Sequence, residues 1–130
     1  MGADACHLMV VLSNALPGRE DDYNDWYSRV HIHDTINKLD GFASGRRFQL
    51  ADLADAPAMP YRYLAIYEVP EDKLDVAYQQ FRWSRGQRAE ALAEGREPLV
   101  PVSDAIDLDH FLVGFYSPMG DRISSERTSL

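Results

Sequence analysis

Three short segments of this chain are apolar on both sides of any strand they would form. That constrains the fold more than any other feature. His7–Ser13 puts Leu8, Val10 and Leu12 on one side and Met9 and Val11 on the other. Residues 61–69 set Leu64 and Ile66 against Tyr61, Tyr63 and Tyr67, and residues 109–117 set Phe111, Val113 and Phe115 against Leu112 and Tyr116. A sheet with solvent on one side alternates apolar and polar residues. Strands that break the alternation need cover on both sides.

The segments between them carry helical periodicity. Over residues 19–33, Glu20, Asp21 and Asp22 sit in a first turn, where the helix dipole favours acids. Tyr23, Trp26, Tyr27 and Val30 then recur at spacings of three and four. Gly41 ends this unit, 42–50 reads as a strand, and 51–60 is a loop. Pro70-Glu71-Asp72 opens a second helix with the stripe Leu74, Ala77, Tyr78 and Phe81. It runs towards Gly95 with a break near Gly86, Pro98 and Pro101 bound a loop, and the tail from Pro118 is polar and loose. The order β-α-β-β-α-β predicts a single α+β domain over 1–130 with its core at about 7–117. It is ferredoxin-like, a four-stranded antiparallel sheet with both helices on one face. No element remains for the other face, so the expected cover is a second copy in a homodimer.

Charge and cysteine usage narrow the partners. A net charge of −8 argues against nucleic acid and against an anionic membrane surface. No 18-residue apolar run occurs, and Met1–Cys6 has no signal-peptide pattern. The single cysteine, Cys6, suits a reducing cytoplasm. There is no phosphate loop, dinucleotide fingerprint or nucleophile elbow, so no cofactor is expected.

Chemistry concentrates in Asn24-Asp25-Trp26-Tyr27-Ser28-Arg29-Val30-His31-Ile32-His33-Asp34. On a regular helix His31 and Asp34 lie on one side, close enough for the carboxylate to orient the imidazole while His31 moves a proton. The competing reading makes Asp34 a cap and His31 a satisfied histidine. His31 and His33 point about 160° apart on a helix, which excludes a shared metal. Tyr63 and Tyr67 share a strand face and can line a cavity with phenol donors. Trp26, Tyr27, Phe48 and Trp83 supply an apolar box, or core anchors. Arg46 and Arg47 point to opposite faces, so at most one meets a substrate carboxylate; Arg47 is the candidate.

Asn24-x-Trp26-Tyr27-x-x-x-His31-Ile32-x-Asp34, followed by Gly41-Phe42, Arg46-Arg47-Phe48 and the aromatic strand at 61–68, resembles the EthD-like group of the dimeric α/β-barrel superfamily. The resemblance covers about 7–117 and departs from the family pattern at His33, where proline is common. It implies a cofactor-independent lyase or isomerase (decarboxylation, dehydration or cyclisation) acting on a small aromatic or polyketide-like acid. His31, Asp34 and Tyr67 would be catalytic, and Trp26, Tyr27, Arg47, Phe48, Tyr63 and Trp83 would bind substrate. A cofactor-free monooxygenase on a phenol and a non-catalytic dimeric binding or stress protein are the alternatives.

Overall fold

A computed structural model describes residues 6–127. The reading of the extreme N-terminus bears mainly on residues 1–5, which with 128–130 lie outside the described residues. Four strands, β1 (His7–Ser13), β2 (Ser44–Gln49), β3 (Tyr63–Val69) and β4 (Leu112–Tyr116), form one antiparallel sheet in the order β2-β3-β1-β4. With helical units after β1 and β3, this is the ferredoxin-like α+β arrangement that the periodicities predict.

Register fixes the two faces. Met9 pairs with Tyr67 and Phe115, Val11 with Ala65 and Val113, and Arg47 with Ala65. These residues face the helices, and the aliphatic and aromatic ones among them belong to the core or pack against it. The opposite face carries Leu8, Val10, Leu12, Leu64 and Ile66 along the central strands, with Phe48, Leu112 and Tyr116 exposed at its flanks. The aliphatic side of β3 is therefore the open side, and its tyrosines are core.

The first helical unit is longer than residues 19–33. It comprises α1 (Glu20–Trp26), a π-helical turn over Tyr27–His31 and α2 (Ile32–Lys38), with helical backbone at both junctions. Tyr23, Tyr27, His31, Thr35 and Leu39 consequently line up at intervals of four, the first, second, fourth and fifth of them buried. In a regular helix, sixteen residues would turn Leu39 about 160° away from Tyr23. The extra residue held in the π-turn returns about 100° of that. The same shift leaves Val30, expected on the apolar stripe, exposed.

The second unit, α3 (Leu74–Ala93), runs unbroken through Gly86. Ala77, Ser84 and Ala91 are its buried residues, while Tyr78 is largely exposed with its ring edge against Phe115. Gly41 has a φ of +98°, and a Cβ there would fall 2.7 Å from the Ala77 backbone nitrogen. Only glycine permits that approach of the chain to α3.

The connection after α3 is structural. Val100, Ala105 and Ile106 are buried, Leu16 donates to the Ala105 carbonyl at 2.8 Å, and Asp107 donates to the Asn14 carbonyl at 3.0 Å. Arg19 pairs with Asp104 at 2.8 Å. These ties hold the connection across the end of the helices.

Candidate functional site

The π-turn, the covered side of the sheet, α3 and the connection after α3 enclose a cavity. The room open to the centre of a water molecule inside it is about 80 Å³. One water needs about 10–15 Å³ by that measure, so a small organic molecule is a suitable guest. The walls are mostly apolar, including Met9, Val11, Phe81, Val100 and Phe111. His31, Tyr27, Tyr67, Thr35, Arg85 and Arg88 also line it and carry its polar groups.

His31 is the unusual member. Trp26 stacks on its ring at 4.5 Å and Tyr27 meets it edge-on at 4.9 Å. Its Nδ1 is shut off from solvent and has no hydrogen-bond partner among the described residues. Burial, reinforced by the charge of Arg88, pulls the imidazole from its ordinary 6.5 down to about 4, against smaller opposing effects of Asp34 and the Pro101 carbonyl. The ring is therefore neutral at pH 7. The Pro101 carbonyl can only accept, so it selects the tautomer with hydrogen on Nε2 and leaves a bare lone pair on Nδ1. A buried acceptor left unmatched costs about 1–3 kcal/mol, which a guest with an O–H or N–H would relieve.

The phenols of Tyr27 and Tyr67 lie 3.4 Å apart beside this ring. Burial raises both above the usual tyrosine value, Tyr27 strongly, so both stay protonated and act as donors. Thr35 gives its own hydroxyl to the His31 carbonyl at 3.0 Å, the return bond common for threonine inside a helix.

Asp34 does not hold His31. Its carboxylate pairs with Lys38 at 3.3 Å, and its effect on the imidazole is only the pull of a nearby charge. His31 and Asp34 keep ordinary three-residue helical spacing, but the imidazole turns inwards between Trp26 and Tyr27 while the carboxylate takes Lys38. His33 is exposed, away from His31.

Arg47, Tyr63 and Phe48 sit in a separate shallow cleft with Asn24 and Gln49. There Arg47 donates to Ser28 Oγ at 2.8 Å and to Asn24 Oδ1 at 2.9 Å. Its guanidinium lies 4.6 Å from the centre of the Tyr27 ring and a little farther from those of Tyr23 and Tyr63. Asn24 in turn donates to the Tyr63 hydroxyl at 3.2 Å. These groups satisfy one another and pin α1 to β2. Trp83, expected in the apolar box, is half exposed on α3 and does not line the cavity.

The structure thus brings His31, Trp26, Tyr27 and Tyr67 together and leaves Asp34, Arg47, Phe48, Tyr63 and Trp83 outside. Sequence reasoning missed Arg88, Arg85 and the roof residues Val100 and Val102. A trace was there to find. Ala77, Phe81, Ser84, Arg88 and Ala91 recur at spacings of four, three, four and three, which places one arginine on the inward stripe of α3. Comparison with protein-family models, with curated proteins and with solved structures finds no match. The functional reading therefore rests on the geometry.

Proposed function

We propose that the cavity binds a small aromatic or polyketide-like acid and that His31 is its proton-transfer group, in a cofactor-independent lyase or isomerase reaction. One observation carries this reading: a neutral imidazole whose buried Nδ1 lacks a donor inside an apolar cavity. A substrate O–H or activated C–H set against that lone pair meets a base, and the phenols of Tyr27 and Tyr67 are donors for a developing enolate oxygen. His31→Phe keeps a ring of similar size and removes the lone pair. In a turnover screen over aromatic hydroxy acids and β-keto acids, it should lower the rate per folded protein by about 10²–10⁴. An unchanged rate ends the catalytic reading. The lack of an Asp34–His31 hydrogen bond favours a second reading, a binding protein without turnover. Saturable binding with no chemical change in any of these compounds would support it.

The reading also includes a homodimer formed through the open sheet face, as in the EthD-like dimeric barrels that the helix motif resembles. Its support is the aliphatic row Leu8, Val10, Leu12, Leu64 and Ile66, which lies on the face away from the helices and stays partly exposed. Obligate interfaces of this kind bury about 2,000 Å² or more. Light scattering that shows a stable folded monomer at micromolar concentration removes the dimer.

A further inference from the structure

Arg88 occupies an odd place for an arginine. The chain carries 21 acidic residues against 13 lysines and arginines, so acids are in excess. Arg19, Arg29 and Arg96 meet one, in ion pairs of 2.7–3.2 Å, and all three lie outside the cavity. Arg88 has no such partner among the described residues, although it is half-buried on the wall of the His31 cavity. Burial and the neighbouring Arg85 both disfavour its charge, and no carboxylate offsets them. Arg85 sits beside it with its guanidinium over the rings of Phe81 and Phe111, at 5.0 and 5.5 Å, both part of the same wall. An unpaired guanidinium on the wall of an apolar cavity is costly unless the cavity's guest is an anion.

We propose that Arg88 is the anion-holding residue of this cavity, so that the site takes aromatic hydroxy acids whose carboxylate meets Arg88 and whose hydroxyl meets His31 Nδ1. The assignment rests on the reading of the cavity as a ligand site and adds which end of the ligand goes where. Two polar groups of the cavity suit such a molecule. His31 offers an acceptor for an O–H, Arg88 is a cation that calls for a carboxylate, and the rest of the lining is mostly apolar. A planar guanidinium also suits a carboxylate better than a point charge does, because it offers two parallel N–H donors. The role of substrate anchor expected of Arg47 thus passes to Arg88. Arg47 instead donates to Ser28 and Asn24 and does not line the cavity.

The test uses three probes of one shape and different charge: 4-hydroxybenzoate, 4-hydroxybenzamide and 4-hydroxybenzylamine. Binding is followed by calorimetry and by the ring-nitrogen chemical shifts of His31. In the unmodified protein the acid should bind about tenfold or more tighter than the amide, and the amine weakest. Arg88→Met, which keeps the aliphatic stem, should bring the acid to within about twofold of the amide and leave the amide unchanged. His31→Phe should weaken all three alike. If the three probes bind equally to the unmodified protein, or Arg88→Met weakens acid and amide together, the assignment of Arg88 falls while sensitivity to His31→Phe keeps the cavity reading. If His31→Phe changes nothing and the acid preference still depends on Arg88, the His31 reading falls and Arg88 stands. No binding of any probe at millimolar concentration overturns both. Should Arg88→Met fail to fold, the order of the three probes on the unmodified protein decides the question.

Discussion

The π-turn separates two polar sites built from nearly the same materials. In the cleft, Arg47 lies against Tyr23, Tyr27 and Tyr63; in the cavity, His31 lies against Trp26 and Tyr27. Arg47 has found its partners in Ser28 and Asn24, whereas the His31 Nδ1 has found none. Aromatic surroundings therefore do not distinguish a structural polar group from a functional one. Satisfaction does. A group whose hydrogen bonds close within the fold contributes to stability, and a buried one left open is available to a guest.

The comparison makes five predictions about stability, from the largest effect to the smallest. Arg47→Ala should cost about 2–4 kcal/mol, because it strands Asn24 and strips three rings of their cation, and the thermal midpoint should drop by about 10 °C. A loss under 1 kcal/mol would show that the cleft is not the structural one. His31 should instead reveal itself through pH. Its folded-state value of about 4 lies below the 6.5 of an unfolded chain, so the unfolded state binds the extra proton between those limits. Stability that is complete above pH 6.5 should then fall by about 2–3 kcal/mol as pH drops to 4, and His31→Phe should flatten that part of the profile. Denaturant titrations of both proteins at pH 7, 5.5 and 4.5 check this, and parallel profiles would break the contrast.

The phenols sharpen it further. Tyr63→Phe removes the acceptor of the Asn24 bond and should cost about 1 kcal/mol. Tyr67→Phe loses a long 3.4 Å contact with Tyr27 and a weak interaction with Thr35, and should cost less than the Tyr63 change in the same chemical denaturation series. Smallest of all, Asp34→Asn should change stability by about 0.5 kcal/mol or less, since it gives up one i,i+4 ion pair with a largely exposed Lys38. A cost above 2 kcal/mol would restore Asp34 as the partner of His31.

Much of the fold was legible from the sequence because periodicity encodes it directly. The strand His7–Ser13, the element order and the two-sided apolar strands all follow from which positions are apolar. The site was half legible. Trp26, Tyr27, His31 and Tyr67 were found as a cluster of chemistry-bearing residues and do meet in one cavity. The wheel set His31 and Asp34 on one side of the helix, but it does not show which partner a side chain takes: Asp34 pairs with Lys38 and the His31 ring turns in against Trp26 and Tyr27. Which of Arg46 and Arg47 turns inward was not legible; Arg47 does, and its bonds there run to Ser28 and Asn24, which the sequence does not show. Trp83 fell outside because a large aromatic on a helix is not obliged to face inward. The roof was missed because Val100, Val102 and Ile106 have no regular period, and their burial depends on ties to Asn14, Leu16 and Arg19 far back in the chain.

The π-turn has a further consequence, in how such a site would be gained or lost. His31 faces the cavity because the chain from Tyr23 to Leu39 holds one residue more than regular turns would need. Removing Ser28, Arg29 or Val30 would restore an ordinary helix and rotate everything beyond it by about 100°. Every side chain that lines the pocket would still be in the sequence, yet the imidazole and its neighbours would no longer share a wall. The site is thus written in the length of the chain as well as in its letters. A protein with the same residues and one fewer position would inherit the fold without the chemistry.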